Sequence, residues 1–450
     1  MSGGTPRWFA FLESNTTGTG RRFCAVARAR GLRPVLLARD VARYPYAAED
    51  GVDTLVLDTS DLGAVVDACA RLADAEGLAG IASSSEYFVA TAALAAAKLG
   101  LPGPDGEAIA RCRDKDAQRA ALAAAGVPVP AFHATGQVGE AVRAAGEIGG
   151  PVVLKPVSGS GSVGVKLCLT RDEVRRWAVE LLSRLTDERG APTAGRILVE
   201  EAVTGPEFSV ETFDGRVVAV VAKHLTPEPF FVETGHDLPA PVADDVAAAL
   251  GETAVRALGA LGLGWGAAHT ELRLTERGPV VIEVNPRLAG GMIPAALAAA
   301  TGVDLIDRLI ARAAGLDPAP AQPGPGHAAI RFVAAPGAGT VTAVGGLDEA
   351  LRAPGVVDAA TTAAVGRQVR ITHSFQDRLG HVVAVGADAG QAAERAADAA
   401  RLIRIELDGP TRSAEAIEGD GPTRSAEAAE PTRSAELDEP TRSAEGAGGR

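Results

Sequence analysis

Residues 269–287 read HTELRLTERGPVVIEVNPR, which predicts two apolar strands joined by a turn at TERGP. The first strand carries Glu271, and the second carries Glu283 and Asn285 near its end. Because side chains alternate along a strand with period two, Glu283, Asn285 and Arg287 are expected on one face. Two carboxylates and an amide oxygen are hard ligands that suit Mg²⁺, which keeps substrate phosphates and waters in its other positions. The stretch therefore predicts a hairpin with a magnesium site at its end.

A glycine-rich loop follows an apolar strand in residues 152–165, which read VVLKPVSGSGSVGV. The segment VGVKLCL predicts a second strand after the loop, so the helix that a dinucleotide-binding GxGxxG motif requires is missing. A loop between two strands can instead cover a triphosphate, with its N–H groups on the oxygens and Lys155 neutralising their charge. A mobile hairpin without a ligand is the alternative interpretation. The loop residues are Ser158, Gly159, Ser160, Gly161, Ser162 and Gly164.

A third motif, RILVEEAVTGPEFSVE, occupies residues 196–211. A strand is predicted to end at Glu200 and Glu201, and Glu207 follows a TGP turn. The edge of such a strand can offer backbone groups to an adenine ring, and a nearby carboxylate can accept hydrogen bonds from ribose hydroxyls. A solvated acidic turn is the alternative for this segment.

The chain has 450 residues, 46% of them hydrophobic, which is enough for two to four structural units. Short apolar strands alternate with Ala-rich helices up to about Leu101, a pattern typical of a parallel α/β unit. A helix is predicted from Asp114 to about Ala125, and paired strands mixed with helices then indicate an α+β body. After a Pro/Gly-rich linker, a small unit of strands and one helix is predicted to end near Leu407. The predicted domains are 1–112, 113–202, 203–320 and 321–407, followed by a tail, 408–450.

The tail contains the hexamer PTRSAE four times, beginning at Pro410, Pro422, Pro431 and Pro440. Its only sizeable apolar side chains are Ile417 and Leu437, so burial cannot offset the entropy of ordering and the tail is predicted to be disordered. Three hypotheses remain open for it: a solvated extension, a docking tether for a partner protein, or a peptide substrate held at high local concentration.

Composition excludes several classes of protein. A net charge of -13 argues against nucleic-acid binding, and no apolar run approaches the roughly 18–20 residues that span a bilayer. The N-terminus lacks a secretory signal, which predicts a cytoplasmic protein. No P-loop motif and no protein-kinase signature occurs. The cysteines are far apart, which predicts small buried hydrophobic residues at Cys24, Cys69, Cys112 and Cys168.

The three motifs, in this order, resemble the ATP-grasp superfamily over nearly the whole chain before the tail. This resemblance implies a parallel α/β N-terminal domain, ATP held between two α+β lobes, and a carboxylate that is phosphorylated and then captured by a nucleophile. It implies Mg²⁺ as the metal, with Mn²⁺ as a substitute, and a homodimer. By resemblance, Lys115 and Lys155 bind phosphates, the glycine-rich loop covers them, and Arg287 holds the acyl phosphate or the substrate carboxylate. The other implied roles are an adenine hinge at Glu200, Glu201, Ala202 and Val203, a ribose acid at Glu207, and metal ligands at Glu271, Glu283 and Asn285.

Smaller features resemble the L-amino acid ligases and other carboxylate–amine ligases within that superfamily. They are FLESNTTGTG, SSSEYFVATAALAAAKLGLPGP, FFVETGHDLPAPV and NPRLAGGMIP. The resemblance implies that Glu233 and His236 border the substrate pocket and that the turn with Gly290 and Gly291 contacts the substrate. His269 is expected on the face of Glu271, where it either points into the site or is a core histidine. The resulting hypothesis is a ligase that joins a carboxylic acid to an amine; a bicarbonate-phosphorylating carboxylase, a purine-pathway enzyme and a nucleotide sensor are the alternatives.

Overall fold

The computed structural model describes residues 7–15, 19–187, 190–321 and 323–409. The four hexamers of the tail lie outside these residues, so the predictions about the tail remain predictions. Among the described helices, none is long and apolar enough to cross a membrane.

The N-terminal unit is a parallel α/β domain, as its alternating strands and helices predict. Its elements are β1 (Trp8–Leu12), α1 (Thr19–Ala29), β2 (Arg33–Ala38), α2 (Pro45–Glu49), β3 (Asp53–Val56), α3 (Leu62–Glu76), β4 (Leu78–Ala82), α4 (Val89–Lys98) and α5 (Gly106–Cys112). The strand order is β3-β2-β1-β4, and all pairs are parallel. Alternate residues of β1 serve two cores: Phe9 and Phe11 pack in the core that contains Phe23 of α1, and Ala10 packs in the core that contains Val65 of α3. Helices on both faces explain why β1 is buried along its whole length.

The next unit, called the small lobe here, is an antiparallel sheet with helices. Its elements are α6 (Lys115–Ala124), β5 (Phe132–Thr135), α7 (Val138–Ile148), β6 (Val152–Pro156), β7 (Lys166–Cys168), α8 (Arg171–Leu182) and β8 (Ile197–Glu201). The strand order is β5-β8-β6-β7. Helix α6 begins where predicted, because the Asp114 carboxylate caps it by accepting from the N–H groups of Asp116 and Ala117. The cap places Lys115 in the first turn.

The following unit, called the large lobe, is built on a long antiparallel sheet. Its elements are β9 (Glu207–Phe213), β10 (Arg216–Leu225), β11 (Glu233–Leu238), α9 (Asp244–Leu261), β12 (Ala267–Thr275), β13 (Gly278–Asn285), α10 (Ile293–Thr301) and α11 (Leu305–Ala314). Between β8 and β9 the chain turns at Gly205. There φ is +125°, and a Cβ atom would lie 2.0 Å from the Leu274 carbonyl oxygen, so only glycine fits.

The C-terminal strands extend the large-lobe sheet. The elements are β14 (His327–Ala334), β15 (Gly339–Gly345), α12 (Leu347–Arg352), β16 (Val356–Thr361), β17 (Gln368–Val369), β18 (Arg378–Gly386), α13 (Ala389–Leu402) and β19 (Arg404–Leu407). The eight-stranded order β13-β12-β9-β10-β11-β14-β18-β16 crosses the predicted boundary at 320, and a smaller sheet has the order β17-β15-β19. The expectation of one helix was wrong, since α12 is present as well as α13. The sequence does not reveal α12 because its six residues are too few to show a helical period.

All four cysteines are free and buried, as predicted. Burial raises the pKa of the Cys24 and Cys69 thiols to about 12, so they behave as small apolar side chains.

Candidate active site

A cavity of about 250 Å³ lies between the two lobes. The predicted site residues on its wall are Lys115, Lys155, Ser158, Gly159, Ser160, Gly161, Ser162, Glu200, Glu201, Ala202, Val203, Glu207, Glu233, Glu271 and Glu283. A smaller neighbouring cavity shares Lys115 and Glu283 with the first and adds Asn285 and Arg287. Motifs that are up to 168 positions apart in the sequence, from Lys115 to Glu283, therefore meet in one place.

The predicted metal ligands form a compact group at the end of the β12/β13 hairpin. Glu271 lies directly opposite Glu283, and His269 lies opposite Asn285. Like charges directly opposite on a sheet repel, so a site of this kind requires cations. Here the Nζ atoms of Lys223 and Lys115 lie 3.0 Å from Oε1 of Glu271 and of Glu283, respectively.

This donor set fits a divalent metal whose ligands come partly from the protein and partly from a nucleotide. Two carboxylates and an amide oxygen are too few to enclose a hard cation, and phosphate oxygens and waters would complete the shell. The described residues contain no group of three or more His, Cys, Asp or Glu side chains that could hold a metal by themselves.

His269 orients the first of these carboxylates. Its Nδ1 lies 2.7 Å from Glu211 Oε1 and its Nε2 lies 3.1 Å from Glu271 Oε1. Burial favours the neutral imidazole, but the two carboxylates outweigh burial and raise the pKa of His269 to about 9. His269 is thus a buried histidine that contacts the site through Glu271, which combines the two interpretations left open by the sequence.

Lys223 of β10 is a cavity residue that the sequence analysis missed. Its buried Nζ lies 2.8 Å from Glu207, 3.0 Å from Glu233 and 3.0 Å from Glu271. Burial opposes its charge, but the three carboxylates outweigh burial and raise the pKa of Lys223 well above its ordinary value. One ammonium therefore joins the predicted ribose acid, a predicted substrate residue and a predicted metal ligand.

Lys155 is held in a buried ion-pair triad. Its Nζ lies 2.5 Å from one oxygen of Glu200, whose other oxygen lies 2.6 Å from Nε of Arg119. Burial is the largest influence on Lys155 and lowers its pKa, while Glu200 counteracts this. The Glu200 side chain therefore binds Lys155 and Arg119, and its place in the adenine hinge remains a prediction.

The hinge backbone is engaged within the protein. The N–H of Ala202 donates to the Pro151 carbonyl at 3.1 Å, and the N–H of Val203 donates to the Glu201 carbonyl at 3.0 Å. To accept a hydrogen bond from the Val203 N–H, an adenine ring would have to replace the Glu201 carbonyl as its acceptor. The hinge role, like the ribose role of Glu207, remains a prediction.

Helix α6 braces the free edge of β13. The Gln118 amide accepts from the Val284 N–H at 2.9 Å and donates to the Val284 carbonyl at 2.8 Å. Arg119 donates to the Ile282 carbonyl. β13 is an edge strand, so these backbone groups would otherwise lack partners. The two side chains act as a substitute strand on both sides of Glu283.

Arg287 lies just after β13 and is bound to a residue of the N-terminal domain. Its Nη2 and Nε lie 2.5 and 3.1 Å from Oε2 of Glu86, and Arg113 Nη1 lies 3.1 Å from Oε1 of the same residue. Burial opposes the charge of Arg287, but Glu86 outweighs it and raises the pKa of the guanidinium. Arg287 is therefore a fixed cation beside Glu283 and Asn285.

Of the predicted substrate residues, His236 lies near Glu233 and Gly291 adjoins His236. Arg378 Nη1 lies 2.8 Å from Glu233 Oε2, and His236 Nε2 lies 3.7 Å from the same oxygen. Both ring nitrogens of His236 are buried without a hydrogen-bond partner. Burial is the largest influence and lowers the pKa of His236 to about 3, so the ring is neutral. Gly291 adjoins it, because a Cβ atom there would lie 3.0 Å from His236 Nε2.

Two predicted residues, Gly164 and Gly290, do not line the cavity, although Val163 and Val165 on either side of Gly164 do. Gly164 accepts a hydrogen bond from the Trp177 ring N–H at 3.0 Å, and Gly290 lies in the turn before α10, where its carbonyl accepts from Ile293. The sequence offered one signal for the residues that were missed: Lys223, Gln118 and Arg119 are polar residues at positions where the strand or helix pattern calls for burial. Glu86 and Arg378 had no such signal, because distant parts of the chain bring them to the site.

Three family models match the chain. They are an ATP-grasp N-terminal domain at residues 24–103, an ATP-grasp domain at residues 148–295, and the L-amino acid ligase C-terminal domain 2 at residues 331–408.

The chain is also similar to individual proteins. The chain is 38% identical over 374 residues to the uncharacterized protein y4rH of Sinorhizobium fredii, covering 83% of this chain and 78% of that protein. It is 31% identical over 265 residues to the alanine–anticapsin ligase of Bacillus amyloliquefaciens, covering 55% of this chain and 56% of the ligase. The crystal structure of an L-amino acid ligase from Bacillus licheniformis superposes with a TM-score of 0.75 at 22% identity, covering 90% of this chain and 100% of that one. The chain belongs to the ATP-grasp carboxylate–amine ligase family and is an ATP-dependent ligase that forms carbon–nitrogen bonds.

Proposed function

We propose that this chain activates the carboxylate of an amino acid or a similar carboxylic acid as an acyl phosphate and joins it to an amine. ATP is consumed, ADP and phosphate are released, and the product is an amide or a dipeptide. The observation that carries the proposal is the pair of opposed glutamates, Glu271 and Glu283, each bound to a buried lysine in a cavity between two lobes.

The reaction requires two anions to approach each other, and the cavity supplies cations for this step. A donor carboxylate must attack the γ-phosphate of ATP, which is surrounded by negative charge. Lys115, Lys155 and Lys223 all line the cavity, and their side chains are mostly buried. In a water-poor site, their charges act more strongly than they would in solvent.

The metal site completes this arrangement. Magnesium bound at Glu271, Glu283 and Asn285 would neutralise phosphate oxygens and orient the phosphoryl group as a Lewis acid. Lys115 and Lys223 bind the two carboxylates and line the same cavity, so both ammonium groups lie where phosphate oxygens of a bound ATP could reach them.

Arg287 is proposed to meet the activated carboxylate. It is anchored by Glu86, so its guanidinium is oriented before substrate binds. A fixed donor of this kind can stabilise the oxyanion that forms when the amine attacks the acyl carbon and phosphate leaves.

The acid substrate is proposed to lie near Glu233, His236 and Gly291. An ammonium group suits Glu233, and the neutral ring of His236 can donate or accept one hydrogen bond to the substrate. The match of the L-amino acid ligase model to residues 331–408 supports amino acids over bicarbonate or an aminoimidazole ribotide.

A screen of amino acid pairs with ATP and Mg²⁺ tests the proposal. Phosphate release is measured together with mass detection of the amide, and the Lys155→Met variant gives the background. We expect at least one pair to release phosphate and amide in equal amounts. Background release with every pair, in a protein that binds ATP normally, would contradict the proposal, and turnover with bicarbonate alone would favour a carboxylase.

A further inference from the structure

The glycine-rich loop of residues 158–164 is fastened at three points to three different parts of the chain. Lys115 Nζ of α6 donates to the Gly159 carbonyl at 2.8 Å. The Ser162 hydroxyl donates to the Phe231 carbonyl, just before β11, at 2.8 Å. The N–H of Phe375 donates to the Gly161 carbonyl at 3.1 Å. In the third contact, Phe375 belongs to the C-terminal part of the chain and lies just before β18.

The Phe375 ring packs directly on the loop backbone. At Gly161 φ is +64°, and a Cβ atom there would lie 2.3 Å from Cδ1 of Phe375. Glycine is therefore favoured by the backbone conformation and required by the ring. Phe375 is half-buried and lies on the cavity wall, so its ring covers part of that wall and the loop backbone beneath it from water.

The segment that presents Phe375, residues 372–378, is itself firmly held. The buried Asp377 carboxylate accepts from the Thr372 N–H at 2.8 Å, the Thr372 hydroxyl at 2.7 Å and the His373 N–H at 2.9 Å. The Asp377 carbonyl accepts from the N–H of Ala335, just after β14, at 2.7 Å. These bonds fix the turn, so Phe375 offers the loop a rigid surface.

The same segment also contacts the proposed acid-binding region. The ring of His373 stacks on Phe230 with centroids 3.9 Å apart, and Arg378 binds Glu233 at 2.8 Å. One short segment therefore joins the glycine-rich loop to the side of the cavity where the acid is expected.

We propose that Phe375 is a positioning residue that holds the glycine-rich loop against the C-terminal segment and thereby protects the acyl phosphate from water. This inference rests on the proposed function. An acyl phosphate exposed to water is lost: the water oxygen adds to the acyl carbon, the bond from that carbon to the phosphate oxygen breaks, and free acid and phosphate leave. ATP is then consumed without an amide.

The ratio of phosphate released to amide formed measures this protection. In the wild type we expect a ratio near one. In Phe375→Ala we expect phosphate release without amide to rise roughly fivefold, which corresponds to about 1 kcal/mol of lost loop contact. Phe375→Tyr keeps the ring and should restore the wild-type ratio.

Gln376→Ala is the matched control. Gln376 lies in the same turn with an exposed side chain, so its variant tests any general disturbance of the segment. Thermal unfolding of all variants confirms folding. A phosphate-to-amide ratio in Phe375→Ala equal to that of Gln376→Ala would overturn the inference.

Hydrogen exchange of peptides covering residues 158–164, with ATP and Mg²⁺ present, supplies a readout that needs no turnover. The inference expects faster exchange in Phe375→Ala than in the wild type and in Gln376→Ala. Equal exchange in all three would overturn it. If the wild type forms no amide with any pair, the proposed function fails, and the exchange experiment still decides the role of Phe375.

Discussion

Two arginines bind the same carboxylate, Glu86, but only one of them is proposed to meet the substrate. Both line the smaller cavity with Glu283 and Asn285, but Arg287 follows β13, whereas Arg113 precedes α6 and its guanidinium lies over the Tyr87 ring. The two residues share charge, partner and partial burial, so they form a natural pair for comparison.

Replacing Arg287 with Ala should lower kcat/KM by about 10²–10³-fold, the usual loss when one donor to a developing oxyanion is removed. Arg113→Ala should lower it less than about tenfold, because Glu86 still binds Arg287. Steady-state kinetics with the best acid–amine pair measure both variants. Equal losses in both would mean that Arg287 acts only through Glu86.

His236 supplies a pH-dependent prediction at the same scale. Burial holds its folded pKa near 3, whereas an unfolded histidine titrates near 6.5. The unfolded chain therefore binds the extra proton as pH falls below 6.5, and folding loses stability through this group between pH 6.5 and about 3. Above pH 6.5 the ring is neutral in both the folded and the unfolded chain, so the stability that is lost at lower pH is fully present there.

Between pH 7 and pH 5 this loss amounts to about 2 kcal/mol. The free energy of unfolding, from urea titrations at both pH values, should therefore fall about 2 kcal/mol more in the wild type than in His236→Gln. Parallel curves for the two proteins would show that folding does not lower the pKa of His236.

Individual site residues differed in how well the sequence predicted them. Glu271, Glu283 and Asn285 could be placed together because a single hairpin carries all three and strand periodicity fixes their faces. Lys223 could not, since its three carboxylate partners come from β9, β11 and β12 and depend on the strand order of the sheet. The contact between Glu200 and Lys155 could not be predicted either, because it depends on the pairing of β6 with β8.

At the scale of elements, α6 connects the lysines proposed to bind phosphate to β13, the strand proposed to carry metal ligands. Its first turn carries Lys115, its next turn carries Gln118 and Arg119, and these two residues bind the open edge of β13. A helix of ten residues therefore sets the position of Glu283 and, through Glu200, that of Lys155.

Replacing Gln118 with Met keeps the side-chain length but removes its hydrogen bonds to Val284 and Cys112. The apparent Mg²⁺ affinity should weaken about 10–100-fold, as expected when a group that orients metal ligands is lost. The Mg²⁺ dependence of ATP turnover measures this effect.

Gln391→Met is the control, because Gln391 makes a similar bond to the Ala387 backbone at the start of α13. It should leave the Mg²⁺ dependence unchanged. The same shift in both variants would mean that Gln118 affects stability rather than the metal site.

The helices and strands themselves followed the sequence where local signals are strong. Asp114 capped α6 at the expected position, and β6 and β7 formed the hairpin that the glycine-rich loop implied. The extension of the large-lobe sheet by β14, β18 and β16 was not predicted, because the Pro/Gly-rich linker suggested a separate unit. Linker composition reports chain flexibility and says little about which strands pair across it.

At the scale of the molecule, three surfaces enclose the proposed reaction: the small lobe, the large lobe and the C-terminal segment of residues 372–378. The last apolar cluster of the described residues ends at Leu407, so no described core depends on the repeat tail.

Removing residues 410–450 should therefore leave the thermal unfolding midpoint unchanged. Activity and partner capture of the truncated protein then separate the hypotheses for the tail: a tether would lose its partner, a peptide substrate would lose a labelled product, and a solvated extension would lose neither. A lower unfolding midpoint would contradict the placement of the folded core before residue 409.

The central claim is that a carboxylate is activated as an acyl phosphate. The most direct measurement uses an acid labelled with ¹⁸O in its carboxylate, together with ATP, Mg²⁺ and the amine partner, and analyses the released phosphate by mass spectrometry. The proposed mechanism predicts that one carboxylate oxygen is transferred to each phosphate for each amide formed. Unlabelled phosphate, or label recovered in AMP, would contradict it, since the carboxylate would then not have attacked the γ-phosphate.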